Sequence, residues 1–186
     1  MTLTLDATPS GLTANSFIDL PTAQAIMDAT PNATAWATGS LLQSQALIHA
    51  TAMLSTLAYR GFKTHVAQAL AWPRASVIDP DYGDTDGAYS GYMVNGFWGV
   101  YLDINTIPVR VQRATAMLAL EVLRAGTADV WGIDKSANVA KKQIDVITTE
   151  YVPVGERRFG LRVYPTVWRE VFPLTLASDA VSVSRA

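Results

Sequence analysis

The chain contains no cysteine, which excludes disulfides, iron–sulfur clusters and thiol chemistry. Charge is scarce too. Only 16% of the residues are charged while 49% are apolar, which is lean for a monomer surrounded by water. The shortage predicts that part of the surface is covered by another subunit. Positive charge is missing from one end altogether, since no Lys or Arg occurs between Met1 and Tyr59. Residues 1–106 carry eight acids and three bases, whereas residues 107–186 carry eight acids and eleven bases. An acidic half and a mildly basic half suit association with charged partners. No apolar run approaches the roughly 20 residues needed to span a bilayer. The N-terminal MTLTLDATPSG has neither a basic stretch nor an apolar segment of the secretory kind. The expectation is therefore a soluble protein made in the cytoplasm, with no membrane partner. A length of 186 residues fits one domain with a proper core.

Chemical motifs are also missing. The acidic stretch DPDYGDTDG, residues 79–87, supplies Asp79, Asp81, Asp84 and Asp86 as oxygen donors. Counted from Asp79, however, it places Gly83, Asp84 and Ser90 where a calcium loop of the EF-hand type needs a ligand, a glycine and a glutamate. A solvated turn fits it better. His49 and His65 are the only histidines, and without cysteine or an HExxH spacing they make no zinc site. GAYSGY lacks the nucleophile-elbow spacing, and no glycine-rich phosphate loop occurs. The sequence therefore predicts no enzyme, no cofactor and no metal.

What is present is mostly helical. Residues 1–15 read as an extended polar arm. Asp19 with Pro21 starts a short helix over about 21–29. Ser40 to about Tyr59 reads as a long helix closed by Gly61. That helix has no charged residue; it carries an apolar stripe of Leu42, Ala46, Met53 and Leu57 beside a small polar stripe of Ser40, Ser44, Thr51 and Ser55, so it is expected to touch protein on most sides. A shorter helix is predicted over about 62–71, stopped by Trp72-Pro73-Arg74. Proline disfavours helix in the residue before it, so Trp72 should leave the helix and turn onto the core. Asn95-Gly96 between two aromatic-rich runs predicts a tight β-hairpin. Ile107-Pro108 opens a helix to about Ala125 whose charges, Arg110, Arg113, Glu121 and Arg124, span about 80° of its wheel. Residues 143–152 read as a strand paired with residues near 137–141 or 159–163. Tyr164-Pro165 starts a short last helix ended by Pro173, and a flexible tail follows. The fold class is mainly α: a small helical bundle with a β-hairpin insertion at about 88–103, a short late strand region and extended terminal arms. It divides into a helical domain over 1–152 and a C-terminal arm over 153–186.

One stretch interleaves bases with aromatics. Lys141 and Lys142 adjoin each other, and Arg157, Arg158, Arg162 and Arg169 surround Phe159, Tyr164 and Trp168, with Phe172 just beyond. Single-strand grooves use this combination, through phosphate contacts and base stacking. Glu156, Glu170 and the net charge of −2 argue instead for docking on an acidic protein surface. Arginines and aromatics are also the anchors of protein interfaces.

Several strings occur in a telling order. Asn15-Ser16-Phe17 precedes a short Ala-rich helix and an Ala/Thr/Leu helix, and Gln68-Ala69-Leu70-Ala71-Trp72-Pro73-Arg74 follows. After an acidic, glycine-bearing linker come Ile107-Pro108 and, near the end, Tyr164-Pro165. This pattern, over most of residues 14–174, resembles the tailed-phage family catalogued as DnaT-like single-stranded-DNA-binding proteins, whose members in turn resemble head–tail connector proteins. The resemblance implies a structural virion protein of the phage neck: an adaptor forming a homo-oligomeric, dodecameric ring that joins the portal protein above to a tail or neck protein below. DNA would pass through its channel without sequence-specific contact. Arg157, Arg158, Phe159, Arg162, Tyr164, Trp168, Arg169 and Phe172 would then form the portal or subunit interface. Trp72, Pro73 and Arg74 would be a structural corner, with Arg74 paired to an acid of its own or a neighbouring subunit or held within the corner. Asn95 and Gly96 would turn the hairpin. The alternative is a phage single-stranded-DNA-binding replication protein.

Overall fold

The computed structural model describes residues 4–82, 92–94, 97–125, 141–144, 147–150 and 160–176. Four α-helices lie among them: α1 (Leu20–Asp28), α2 (Ser40–Ser55), α3 (Val109–Ala125) and α4 (Pro165–Val171). Each starts where its sequence says it should. Asp19 caps α1 by accepting from the Thr22 N–H at 2.9 Å, and that bond holds its carboxyl below the ordinary value. Helix α2 begins after Gly39, at φ 103°. Proline occupies the first turn of both α1 and α4. Helix α2 ends at Ser55, four residues before Tyr59. There the Thr56 hydroxyl donates to the Met53 carbonyl at 2.7 Å and the Tyr59 hydroxyl to the Leu54 carbonyl at 2.9 Å, so side chains satisfy the last turn.

Helix α3 is the centre of the bundle and packs against α1, α2 and α4. Its Ala114, Ala116 and Ala119 are fully buried, and their small size lets neighbouring backbones approach. Leu47, Ala50 and Leu54 of α2 and Val167, Val171 and Leu174 near the C-terminus complete the core. The small polar stripe of α2 turns inward. The Ser44 hydroxyl donates to the Ser40 carbonyl at 2.8 Å, and Thr51 accepts from the Phe17 N–H at 3.2 Å, which pins the N-terminal segment to the helix. The opposite flank is open in the single chain: Leu41 is 58% and Leu42 47% exposed. Residues 4–18 run without regular structure. Asp6 and Asn15 tie them together, the Asp6 N–H donating to Asn15 Oδ1 at 2.8 Å.

Three antiparallel two-stranded ribbons decorate the bundle: β1 (Phe62–Lys63) with β2 (Arg74–Ala75), β3 (Tyr92–Val94) with β4 (Phe97–Gly99), and β5 (Lys141–Ile144) with β6 (Ile147–Glu150). In the second, Val94 pairs with Phe97. The strands pair antiparallel, as the hairpin signal predicts; Asn95 and Gly96, the expected turn, lie outside the described residues. The third corrects the sequence reading. The described strands are Lys141–Ile144 and Ile147–Glu150, paired with Ile144 opposite Ile147, so the stretch read as one strand from 143 supplies residues to both, and its partner begins at Lys141, the edge of the nearer segment expected to pair with it. A two-residue connection costs less loop entropy than pairing with a remote segment.

The predicted helix over 62–71 does not form, because the segment's carbonyls are engaged by side chains rather than by N–H groups four residues on. Buried Gln68 donates from Nε2 to the carbonyls of Leu70 (2.9 Å) and Pro73 (3.0 Å) and accepts from the His65 N–H at 3.0 Å. Arg74 does not pair with an acid among the described residues. Its guanidinium donates to the carbonyls of Arg60 (2.7 Å), Ala71 (3.3 Å), Tyr59 (3.4 Å) and Gly61 (2.6 Å). Gly61 sits at φ +66°, where an added Cβ would lie 2.1 Å from the Ala75 carbonyl oxygen. Only glycine fits that close approach. The Trp72–Pro73 peptide is cis. Trp72 is 1% exposed and meets Tyr59 edge-on, with centroids 5.4 Å apart. Burial pushes the Tyr59 phenol above its ordinary range.

Two expectations follow from this corner. Trp72→Ala should lower stability by about 3–5 kcal/mol in a urea titration; a loss under about 1 kcal/mol would mean that the ring contributes little to the core. Arg74→Lys keeps the charge but loses the planar fork that serves several carbonyls at once. It should cost about 2 kcal/mol, and full retention of stability by the lysine variant would show that a charge alone suffices.

Candidate nucleic-acid interface

Helix α4 has two faces. Val167 and Val171 are fully buried, whereas Pro165, Trp168, Arg169 and Phe172 fall on the opposite side at about 100° per residue. Phe172 is 52% exposed, Arg169 is exposed and Trp168 half-buried. The Arg162 guanidinium lies over the Trp168 ring, 5.3 Å from its centroid. The Trp168 and Phe172 centroids are 5.4 Å apart with their planes tilted by 46°. Arg169 makes no hydrogen bond or ion pair with the described residues. The result is a small platform of two aromatic rings bordered by two guanidinium groups.

Five of the eight residues singled out from the C-terminal sequence are described. Arg162, Trp168 and Phe172 are brought into contact, and Arg169 shares their helix face. Tyr164 sits half-buried at the start of α4 and packs against the core. Arg157, Arg158 and Phe159 lie outside the described residues.

Sequence reasoning missed a second basic and aromatic group. Arg60, Phe62 and Lys63 are all exposed, Phe62 to 60%. The chain around them is bonded to the end of the α4 segment. The Arg60 N–H donates to the Leu174 carbonyl at 2.9 Å, the Leu176 N–H to the Ala58 carbonyl at 2.8 Å, and Arg60 Nε to the Thr175 carbonyl at 3.0 Å. Arg-Gly-Phe-Lys is itself a base–aromatic alternation. Reading it as the start of a helix hid that signal.

On the flank of α4 away from Trp168, charge gathers around α3. Arg110 grips Asp81 with two donors, Nη2 to Oδ1 and Nε to Oδ2, the latter at 3.0 Å, and it lies 3.7 Å from Glu170 of α4. The hydrogen bond from Arg110 draws the Asp81 carboxyl below its ordinary value, and the Arg113 charge adds to the effect. The same bond raises Arg110. Arg113 is exposed. It makes no hydrogen bond or ion pair with the described residues.

Other features lend themselves less to ligand chemistry. Asp79 Oδ1 accepts from the Asp81 N–H at 3.0 Å, the self-bonding of an aspartate turn; Asp84 and Asp86 lie outside the described residues. Among the described residues no three His, Cys, Asp or Glu side chains converge on a metal-sized site. A groove of about 540 Å³ between α2 and α3 is lined by Leu42, Gln45, His49, Val122 and Leu123, among others. A second hollow of about 220 Å³ lies beside Phe17, Asp19 and Ile107. Neither lining contains a lysine or arginine, so neither offers a phosphate a cation. No described helix is long and apolar enough to cross a membrane.

Comparison with known proteins gives one positive result. No curated protein and no solved structure matches the chain. A family model described as "Putative DnaT-like ssDNA binding protein" matches residues 1–185. The expectation of a virion adaptor, with its dodecameric ring, portal and tail partners, is thereby corrected: the match is described by DNA binding, and no comparison yields a connector, portal or neck protein. The arginines and aromatics that the resemblance assigned to a portal or subunit interface serve phosphate and base contacts equally well. On a match spanning nearly its whole length, the chain belongs to the family of DnaT-like single-stranded-DNA-binding proteins.

Proposed function

We propose that this protein binds single-stranded DNA on the surface formed by Arg162, Trp168, Arg169 and Phe172, extended by Arg60, Phe62 and Lys63. The observation that carries the reading is the arrangement on α4, where a guanidinium lies over an indole whose neighbour is an exposed phenyl ring. Unpaired bases expose their faces, and a solvent-facing aromatic can stack on them; in a duplex those faces are covered by neighbouring base pairs. Arg169 and Lys63 supply cations for the phosphates on either side of the rings. The net charge of the chain is −2, so its overall field does not draw DNA in. Binding rests on local charge: Arg162 and Arg169 come from the half of the sequence where bases outnumber acids, and Arg60 and Lys63 join them from the acidic half. Nothing in this surface reads base edges, so the preference is for single strands rather than for a sequence.

The reading is tested by titrating a fluorescent oligothymidylate at several salt concentrations. Phe172→Ala removes an exposed ring without touching the core and should weaken binding by about 1–3 kcal/mol, as should Trp168→Ala. Arg169→Ala should flatten the dependence of log affinity on log salt by about 0.7, the share of one single-strand phosphate contact. Unchanged affinity in both ring variants would overturn the assignment of this surface.

A further inference from the structure

Resting on the single-strand reading, we infer that Arg110 and Arg113 form a second phosphate-binding step on the flank of α4 away from Trp168, and that Asp81 occupies Arg110 as a stand-in for phosphate until DNA displaces it.

The geometry supports a competitor rather than a buried structural pair. Asp81 presents both carboxylate oxygens to one guanidinium, the bidentate fit by which arginine also takes a phosphate. Its side chain is 58% exposed, so an incoming anion can replace it without opening the core. The pair therefore stands in water, where such ion pairs are weak and screened by salt. Asp81 belongs to a 3-10 turn, Pro80–Tyr82, at the start of the acidic stretch, and no described residue of that turn is fully buried.

Position links this cluster to the platform. Glu170 follows Arg169 on α4, about 100° further round the helix, and its carboxylate lies 3.7 Å from Arg110. Arg113 stands one turn further along α3, exposed and without a hydrogen bond or ion pair among the described residues. A strand stacked on Trp168 and Phe172 and held by Arg169 would cross the exposed side of α4 to reach Arg110 and Arg113. Asp79, Asp81 and Glu170 together balance those two arginines in the free protein. That balance keeps a cationic patch from attracting other anions, and Asp81 is the acid whose displacement would release Arg110.

The test is a double-mutant cycle read by oligothymidylate titration across a salt series, with circular dichroism confirming that each variant is folded. Asp81→Asn should tighten binding about two- to fivefold, the range of an exposed ion pair released for use elsewhere. It should also steepen the salt dependence by about 0.7, because Arg110 gains a phosphate. Arg110→Ala should weaken binding, and in its background Asp81→Asn should have almost no effect. If Asp81→Asn tightens binding equally with and without Arg110, the aspartate acts as a general charge and the inference is overturned. It is likewise overturned if Asp81→Asn changes nothing while Phe172→Ala still weakens binding, an outcome that leaves the single-strand reading standing. If neither the native chain nor Asp81→Asn binds the oligonucleotide, the single-strand reading itself falls, and this inference with it.

Discussion

Between Tyr59 and Ala75 the main chain turns back on itself without a helix, and its carbonyls would be stranded if two side chains did not meet them. Gln68 and Arg74 do so, with six donated bonds between them. The bond from Gln68 to the Pro73 carbonyl is buried, where losing the donor costs on the order of 1–3 kcal/mol; the others are half-buried or exposed and add direction to the loop. Its closure seats Trp72 in the core against Tyr59. It also holds residues 58–60 where they bond to residues 174–176, and so brings the Arg60–Lys63 stretch beside the end of the aromatic helix. The Trp-Pro-Arg corner thus positions the proposed binding surface without belonging to it.

The scarcity of charge takes on a different meaning in the folded chain. The charges of α3 form one stripe, and most are committed to local partners: Arg110 to Asp81 and Glu170, Arg124 to Glu121 and the Asn32 carbonyl. Among the described residues, Arg113 and Arg169 have no hydrogen-bond or ion-pair partner. The absence of charge from α2 has a packing reason on its inner side, where buried Ser44 donates to the Ser40 carbonyl and buried Thr51 accepts from the Phe17 N–H. Leu41 and Leu42 remain exposed on the outer side.

The adaptor expectation rested on a resemblance of sequence strings, and the composition of the C-terminal stretch could not test it. Arginine and aromatic residues carry binding energy at protein interfaces and in single-strand grooves alike, so composition does not distinguish the two. What favours nucleic acid here is the family match together with the arrangement on α4, where rings and guanidinium groups meet side by side on one exposed face.

Local signals were enough where neighbours in sequence make the structure. The Asp19 cap, the prolines in the first turns of α1 and α4, the Asn95-Gly96 hairpin signal and the long alternation of small and apolar residues in α2 and α3 all act within a few residues of themselves, so the mainly α fold and its hairpin were legible in advance. The burial of Trp72 was legible as well, because proline forbids helix in the residue before it. The fate of residues 62–71 was not. Their helical pattern is outweighed by bonds from Gln68 and Arg74, and a side chain's choice of carbonyl depends on how the chain has already folded. The same holds for Arg60, which joins the C-terminal residues across more than a hundred positions, and for Arg110, whose partner Asp81 lies 29 residues away. Sequence determined the elements and the chemistry available to the surface; tertiary packing decided which bases were neutralised nearby and which stood beside the rings.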